Sequence, residues 1–395
     1  MSTLKTTDPN TIEFLAGFDI HRHLDGQPTP YHRRDHCREI QEVDPVQQFL
    51  FSLVNVCGLG LFSRVIDIAN TIELVADPRG LYFHVRNIID ETPVHDGWPQ
   101  VLVAIVLTPA TKLADLRLMF DNELVWARPF ALKIFPGFRS VHGVDDYDAP
   151  EFCAVMEYAQ DQGIPVMSHV ESPDGAEVAT VKFAELVKRY PAGKFVSAHV
   201  TNRYDYDVVR ELHANGHRVL GAVNPQHALH TQADYLQDGR IVNPDLYMHP
   251  PFGSKTDAFW AGMAMLMAEP CFALGSDSVA KTIVSKRVES LSAGIYWSPE
   301  VLYPVLIAAF EKAGDLNGPW QASFNRFIRQ NAESFFGLKP VWQDWQLVRC
   351  IRQQWTVPER YPEYSSLGEW QDKCVVPYGA GKTLEWRVKN SMSSE

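Results

Sequence analysis

The sequence has no apolar run that approaches the roughly 18 residues of a membrane span, so no transmembrane helix is expected. Its start, MSTLKTTDPN, lacks a basic segment followed by an apolar one, and no secretory signal is expected either. Cysteine pairs are missing as well. The six cysteines (Cys37, Cys57, Cys153, Cys271, Cys350, Cys374) are scattered and include no C-x-x-C, a pattern of reduced thiols in a cytoplasmic protein and not of a disulfide framework. Positive charge is short: 36 Lys and Arg against 48 Asp and Glu give a net charge of −12, which argues against a nucleic-acid partner. The His32-Arg33-Arg34 cluster is local and could attract a small anion at most. There is no internal repeat, and no G-x-G-x-x-G follows the first apolar run, so the usual cofactor signal of a doubly wound sheet is absent.

What is present is a long globular chain. At 395 residues, 46% hydrophobic and 21% charged, it can form one large α/β domain or two ordinary ones. Eight segments read as buried strands: about 12–23, 63–70, 101–109, 128–136, 163–171, 193–201, 218–225 and 271–278. Most are near-continuous apolar runs such as Val101-Leu102-Val103-Ala104-Ile105-Val106-Leu107, as expected of a parallel sheet covered on both faces. Helix signals lie between them. Asp44-Pro45 opens a run ending near Gly58. Asp148-Ala149-Pro150-Glu151 predicts a helix capped by Asp148 that runs to Gln162 and is released by Gly163. Eight strands alternating with helices predict a (β/α)₈ barrel, with long connections at 24–62 and 226–270 over its active face. Ser298-Pro299-Glu300 starts a further helix that Pro304 should bend or shorten. Five of the ten tryptophans fall in the last 54 residues, a segment too short for its own core. The division expected is a flexible 1–10, a barrel over 11–339 and a C-terminal extension over 340–395 packed on it.

The predicted strand ends carry unusual chemistry. The first ends in His21 and His23, whose i, i+2 spacing puts two imidazoles on one face. The fourth carries Lys133 inside Ala131-Leu132-Lys133-Ile134-Phe135-Pro136; the fifth ends in His169, the sixth in His199 and the eighth in Asp277. Each has a plain alternative. A lone strand-end histidine can be a hydrogen-bonded core residue, Asp277 can cap a turn, and Lys133 can lie along the wall with its ammonium at the rim. Taken together, six such residues on the strands of one rim point to a metal site.

These residues resemble the metal site of the amidohydrolase superfamily. "ALKIFP" followed by "HGV" at 142–144, "NPQH" at 224–227, "DLYMHPP" at 245–251, "GSDS" at 275–278 and the terminal "KTLEWRVKN" resemble the class II, bacterial-type dihydroorotases, over about residues 12–390. The resemblance implies two zinc ions, one held by His21, His23 and Asp277 and the other by His169 and His199. A carboxylated Lys133 and a hydroxide would bridge them, and Asp277 would carry the proton. It implies the opening or closing of a cyclic amide or ureide such as dihydroorotate. An oligomer is also implied by the resemblance.

The match departs from the family around the substrate. The arginine that follows the first-strand motif is missing, the text here being His23-Leu24-Asp25-Gly26. Asn70 matches the family's asparagine or is a turn residue; Lys281 stands where the family has a histidine and could attract a carboxylate as a point charge. Arg139 in the shortened loop is a candidate anion clamp or an exposed loop arginine, and His249 a candidate polar contact or a loop residue. Other readings keep the chemistry but change the ring to a hydantoin, lactam or cyclic imide, or make the chain a non-catalytic partner subunit. His32-x-x-x-His36-Cys37, His227 and His230 read as loop residues, with His227 and His230 as possible supports of the site.

Overall fold

In the computed structural model, described for residues 8–23, 61–68, 100–121, 128–140, 143–281, 283, 286–287, 291–316, 318–339, 347–360 and 375–389, the first apolar stretch divides in two. Thr11–Leu15 (β1) and Gly17–His23 (β2) are separate strands with different partners. β2 enters a parallel sheet with Phe62–Ile68 (β3), Gln100–Val106 (β4), Ala131–Ile134 (β5), Pro165–His169 (β6), Lys194–Ala198 (β7) and Arg218–Val223 (β8). Two short strands, Leu236–Gln237 (β9) and Arg240–Ile241 (β10), form a hairpin in the long connection that follows. The expected eighth strand is itself in two pieces, Phe272–Leu274 (β11) beside β8 and Ser278–Val279 (β12) beside β2. Between them the Gly275 N–H donates to the Val223 carbonyl at 3.2 Å and the Asp277 N–H to the His21 carbonyl at 2.7 Å. One segment thus joins the two edges of the sheet, and the (β/α)₈ barrel closes.

The covering helices follow the local signals with one correction. The helix Pro150–Gln162 begins at its proline and ends at Gly163, which takes the left-handed conformation that glycine adopts without strain. Its cap position is Ala149, not Asp148, because the Asp148 carboxylate turns aside to Arg189 at 2.7 Å. The helix Pro299–Ala313 starts after Ser298 and continues through Pro304 over its 15 residues. The run opened by Asp44-Pro45 and the loop 24–60 lie outside the described residues.

Two apolar layers result. Side chains pointing out of the sheet, such as Val65, Ile105, Leu132 and Val219, pack under the helices. Side chains pointing in, such as Phe18, Ile66, Met167 and Leu220, fill the barrel, and Phe336 of the helix Asn331–Phe336 closes one end. β1 turns away at Ala16 to form an antiparallel sheet with Leu347–Thr356 (β13) and Thr383–Lys389 (β14). Trp386 is buried there, and the Trp355 indole N–H donates to its carbonyl at 2.7 Å, so both serve packing. The described cysteines, Cys153, Cys271 and Cys350, are free thiols.

Candidate metal centre

β2 delivers its two histidines through an irregularity. Its register against β3 shifts between Asp19 and Arg22, so Ile20 joins the interior cluster and the next residue, His21, also faces inward. A regular strand would send these neighbours to opposite faces. Arg22 goes outward, donating to the Trp297 carbonyl at 3.0 Å and lying 5.5 Å from the Phe62 ring. His199 follows β7 with φ 70°, and Asp277 sits between β11 and β12 with φ 51°. Left-handed backbone at a side chain with Cβ costs about 1–3 kcal/mol each, a strain that clusters at functional sites.

The hydrogen bonds assign the tautomers. The His169 Nε2 donates to the Glu171 carboxylate at 2.8 Å, leaving a lone pair on Nδ1. The Asn224 amide donates to the Gly275 carbonyl at 2.6 Å, so its oxygen accepts from the His199 Nδ1 at 2.9 Å, leaving a lone pair on Nε2. These two bare nitrogens, His169 Nδ1 and His199 Nε2, face each other at 3.0 Å. The His23 Nδ1 donates to the Ile68 carbonyl at 2.8 Å, and its Nε2 lies 3.1 Å from the Asp277 Oδ1. The His21 Nε2 reaches the same oxygen at 3.4 Å. Lone pairs directed at one another in a buried site repel unless a cation lies between them.

A proton on His21, His169 or His199 is a poor candidate for that cation. Burial first, and then the field of Lys133, hold His21 and His169 well below the usual histidine range. Burial does the same for His199. Burial alone would raise the Asp277 carboxyl, but His199, His23 and Lys133 outweigh it and hold the group below the aspartate range. Neutral imidazoles around an ionised carboxylate make a divalent-cation donor set, and His21, His199 and Asp277 place ligand atoms within 4.8 Å of one another. Lys133 is fully buried on β5, its Nζ has no hydrogen-bond partner, and burial lowers its pKa to about 7. An orphaned amine in that position fits a group that is normally engaged.

The four predicted substrate contacts separate. Arg139 lies beside the centre, gripped by the Glu171 carboxylate through Nε at 2.7 Å and through Nη2. His249 is next to it, its Nε2 3.5 Å from the Arg139 Nη1 and 3.3 Å from the Tyr247 hydroxyl. Lys281 is buried against a small cavity of about 80 Å³, shared with Lys286, Tyr296 and Tyr378, that none of the six clustered residues lines. Asn70 lies outside the described residues, as do His32, His36 and Cys37. His227 is not an exposed loop residue: it is buried on the short helix Pro225–Leu229, where its Nε2 meets the Pro250 carbonyl at 3.0 Å. His230 meets the Tyr378 hydroxyl at 2.8 Å.

Sequence reading missed three supports. Glu171 had a signal, standing two residues beyond His169 where side chains return to the same side. Asn224 directly follows β8 and could have been suspected on place alone. Asp19 had none, since it accepts from the Ser276 N–H and hydroxyl, at 2.8 and 2.5 Å, across 257 residues of chain.

No family model matches the chain. A dihydroorotase of Yersinia pseudotuberculosis serotype O:1b (strain IP 31758) is 27% identical over 342 residues, which is 83% of this chain and 90% of that protein. The chain resembles dihydroorotases along most of its length. Among solved structures, the dihydroorotase of Campylobacter jejuni superposes with a TM-score of 0.76 at 20% identity, covering 98% of this chain and all of that one. A D-hydantoinase from Thermus sp. gives 0.71 at 14% identity, covering 98% and 86%. The structural likenesses carry the fold, a (β/α)₈ barrel. Among the described residues, no helix is long and apolar enough to cross a membrane.

Proposed function

We propose that the chain is a dihydroorotase-like cyclic amidohydrolase that opens or closes the ring of a small anionic cyclic amide or ureide such as dihydroorotate. The observation that carries this reading is the pair of bare imidazole nitrogens of His169 and His199, 3.0 Å apart, together with His21 and His23 converging on one Asp277 oxygen. His21, His23 and Asp277 would hold one zinc ion, and His169 and His199 a second. Two bound divalent cations would supply Lewis acidity to the scissile carbonyl and lower the pKa of the attacking water.

Lys133, once carboxylated, would add an anionic oxygen ligand to this centre. With a pKa of about 7 its amine is substantially neutral near pH 7, so its nitrogen can attack CO₂, release a proton and become an anionic carbamate. Asp277 is ionised at neutral pH, and its carboxylate can take the proton of the attacking water and return it to the leaving amide nitrogen. His249 stands at the rim as a polar contact for the ring. Lys281 and Asn70 remain proposed substrate contacts.

A second reading keeps the chemistry and changes the ring to a hydantoin, lactam or cyclic imide. Its motive is that Arg139, the one candidate clamp for a ring carboxylate beside the centre among the described residues, already binds Glu171. The test is ring opening of dihydroorotate, hydantoin, dihydrouracil and succinimide by zinc-reconstituted protein, with Asp277→Asn as the control. Turnover of dihydroorotate supports the first reading, and turnover of an uncharged ring alone supports the second. A metal-loaded protein that opens none of them would leave the partner-subunit reading.

A further inference from the structure

Arg139 stands out because the sequence offers it to the substrate while its contacts face the other way. It lies in the loop after β5, and Glu171 lies two residues past the end of β6. The guanidinium grips the carboxylate at two points, Nε to Oε2 at 2.7 Å and Nη2 to Oε1. Glu171 Oε2 also accepts the His169 Nε2–H at 2.8 Å. Both side chains are largely shielded, Arg139 at 21% and Glu171 at 8% exposed. On its far edge the guanidinium meets His249 at 3.5 Å, which the Tyr247 hydroxyl approaches in turn at 3.3 Å.

We propose that Arg139 is a positioning residue for the metal ligand His169. A two-point ion pair fixes the plane of a carboxylate, which a lysine or a single hydrogen bond does not. The fixed carboxylate then dictates which His169 nitrogen carries the proton and where the ring lies. Its Nδ1 lone pair is held towards His199 Nε2, ready for a cation that both nitrogens share. Such supports of a ligating histidine govern metal affinity as well as activity. The inference rests on the metal-centre reading above, but it assigns Arg139 to the metal side of the site and not to the substrate.

The test is metal uptake by the full-length protein, stripped with a chelator and titrated with Co²⁺ against a competing chelator, following bound equivalents and the visible d–d bands. In Arg139→Met one equivalent is expected to weaken about 10- to 100-fold while the other holds. Arg139→Lys should recover part of that loss. Glu171→Gln should weaken the same equivalent, and the double variant should be no worse than the more affected single one. Wild-type affinity for both equivalents in Arg139→Met, with a raised KM for an anionic ring or with no kinetic change, would overturn the proposal. So would equal weakening of both equivalents that Arg139→Lys does not relieve, since that is general damage. A wild-type protein that takes up no metal would instead remove the metal-centre reading itself.

Discussion

At the floor of the barrel Phe336 packs 5.7 Å from Phe18 and edge-on to Phe130 at 5.2 Å, while at the mouth the buried groups are His21, His169, His199, Lys133 and Asp277. The strands are the same, and only the position along them differs. The floor gains stability from aromatic surface removed from water. The mouth gives some back, through a buried amine without a hydrogen-bond partner and two side chains on left-handed backbone. Stability and chemistry therefore sit at opposite ends of one sheet, as in barrels that carry their sites at the strand C-termini.

Substitutions at the two ends should separate these properties. The largest effect is expected from Asp277→Asn, which should cut turnover about 100- to 10,000-fold by removing the proposed proton carrier and metal ligand, with little loss of melting temperature when both proteins are compared stripped of metal. Phe336→Ala should do the reverse: about 3–5 kcal/mol lost in urea unfolding, with turnover in the surviving folded protein near wild type. Comparable losses of both properties in either variant would break the contrast.

Metal removal sharpens it further. Stripping the protein should lower its stability by about 2.7 kcal/mol for each metal ion, relative to a solution holding metal at 100 times that site's dissociation constant, read as a fall in Tm. Smaller again is Lys133→Met. In the stripped protein it should gain about 1–3 kcal/mol by replacing an unsatisfied buried amine with an apolar side chain, while activity disappears. A loss of stability there would mean that the amine is satisfied.

The smallest effect concerns Lys286, near the mouth. Its Nζ donates to the Pro244 and Tyr247 carbonyls, each at 3.1 Å, and burial lowers its pKa from 10.5 to about 7. Between those values the unfolded chain binds the proton and the folded protein does not, so the lysine contributes stability that increases as pH rises from about 7 towards 10.5. The slope is at most about 1.4 kcal/mol per pH unit. Comparing wild type with Lys286→Met from pH 7 to 9 isolates it; identical slopes would show that Lys286 keeps its ordinary pKa.

How much was legible depended on how local the cause was. Gly163 and the Pro150 helix start were readable because left-handed backbone and a missing N–H are properties of single residues. The parallel strands were readable because burial on both faces leaves continuous apolar runs. Asp148 was misread because a cap competes with any nearby cation, and Arg189 arrives from a different helix. Segment 12–23 was read as one strand because nothing local says that residues 11–15 will pair with β13, as Thr11 does with Ile351.

The sequence by itself determined the alternation of strands and helices, and it placed histidine, lysine and aspartate at strand ends, since periodicity and residue chemistry are carried by the chain. Only the tertiary structure decided which nitrogen of His169 and of His199 is bare. That choice is made by Glu171 and Asn224, whose distances to the rings exist only once the barrel has closed. It also turned Arg139 from a loop cation into a partner of Glu171. A side chain's charge is written in its code, but its orientation is set by neighbours that folding brings from elsewhere.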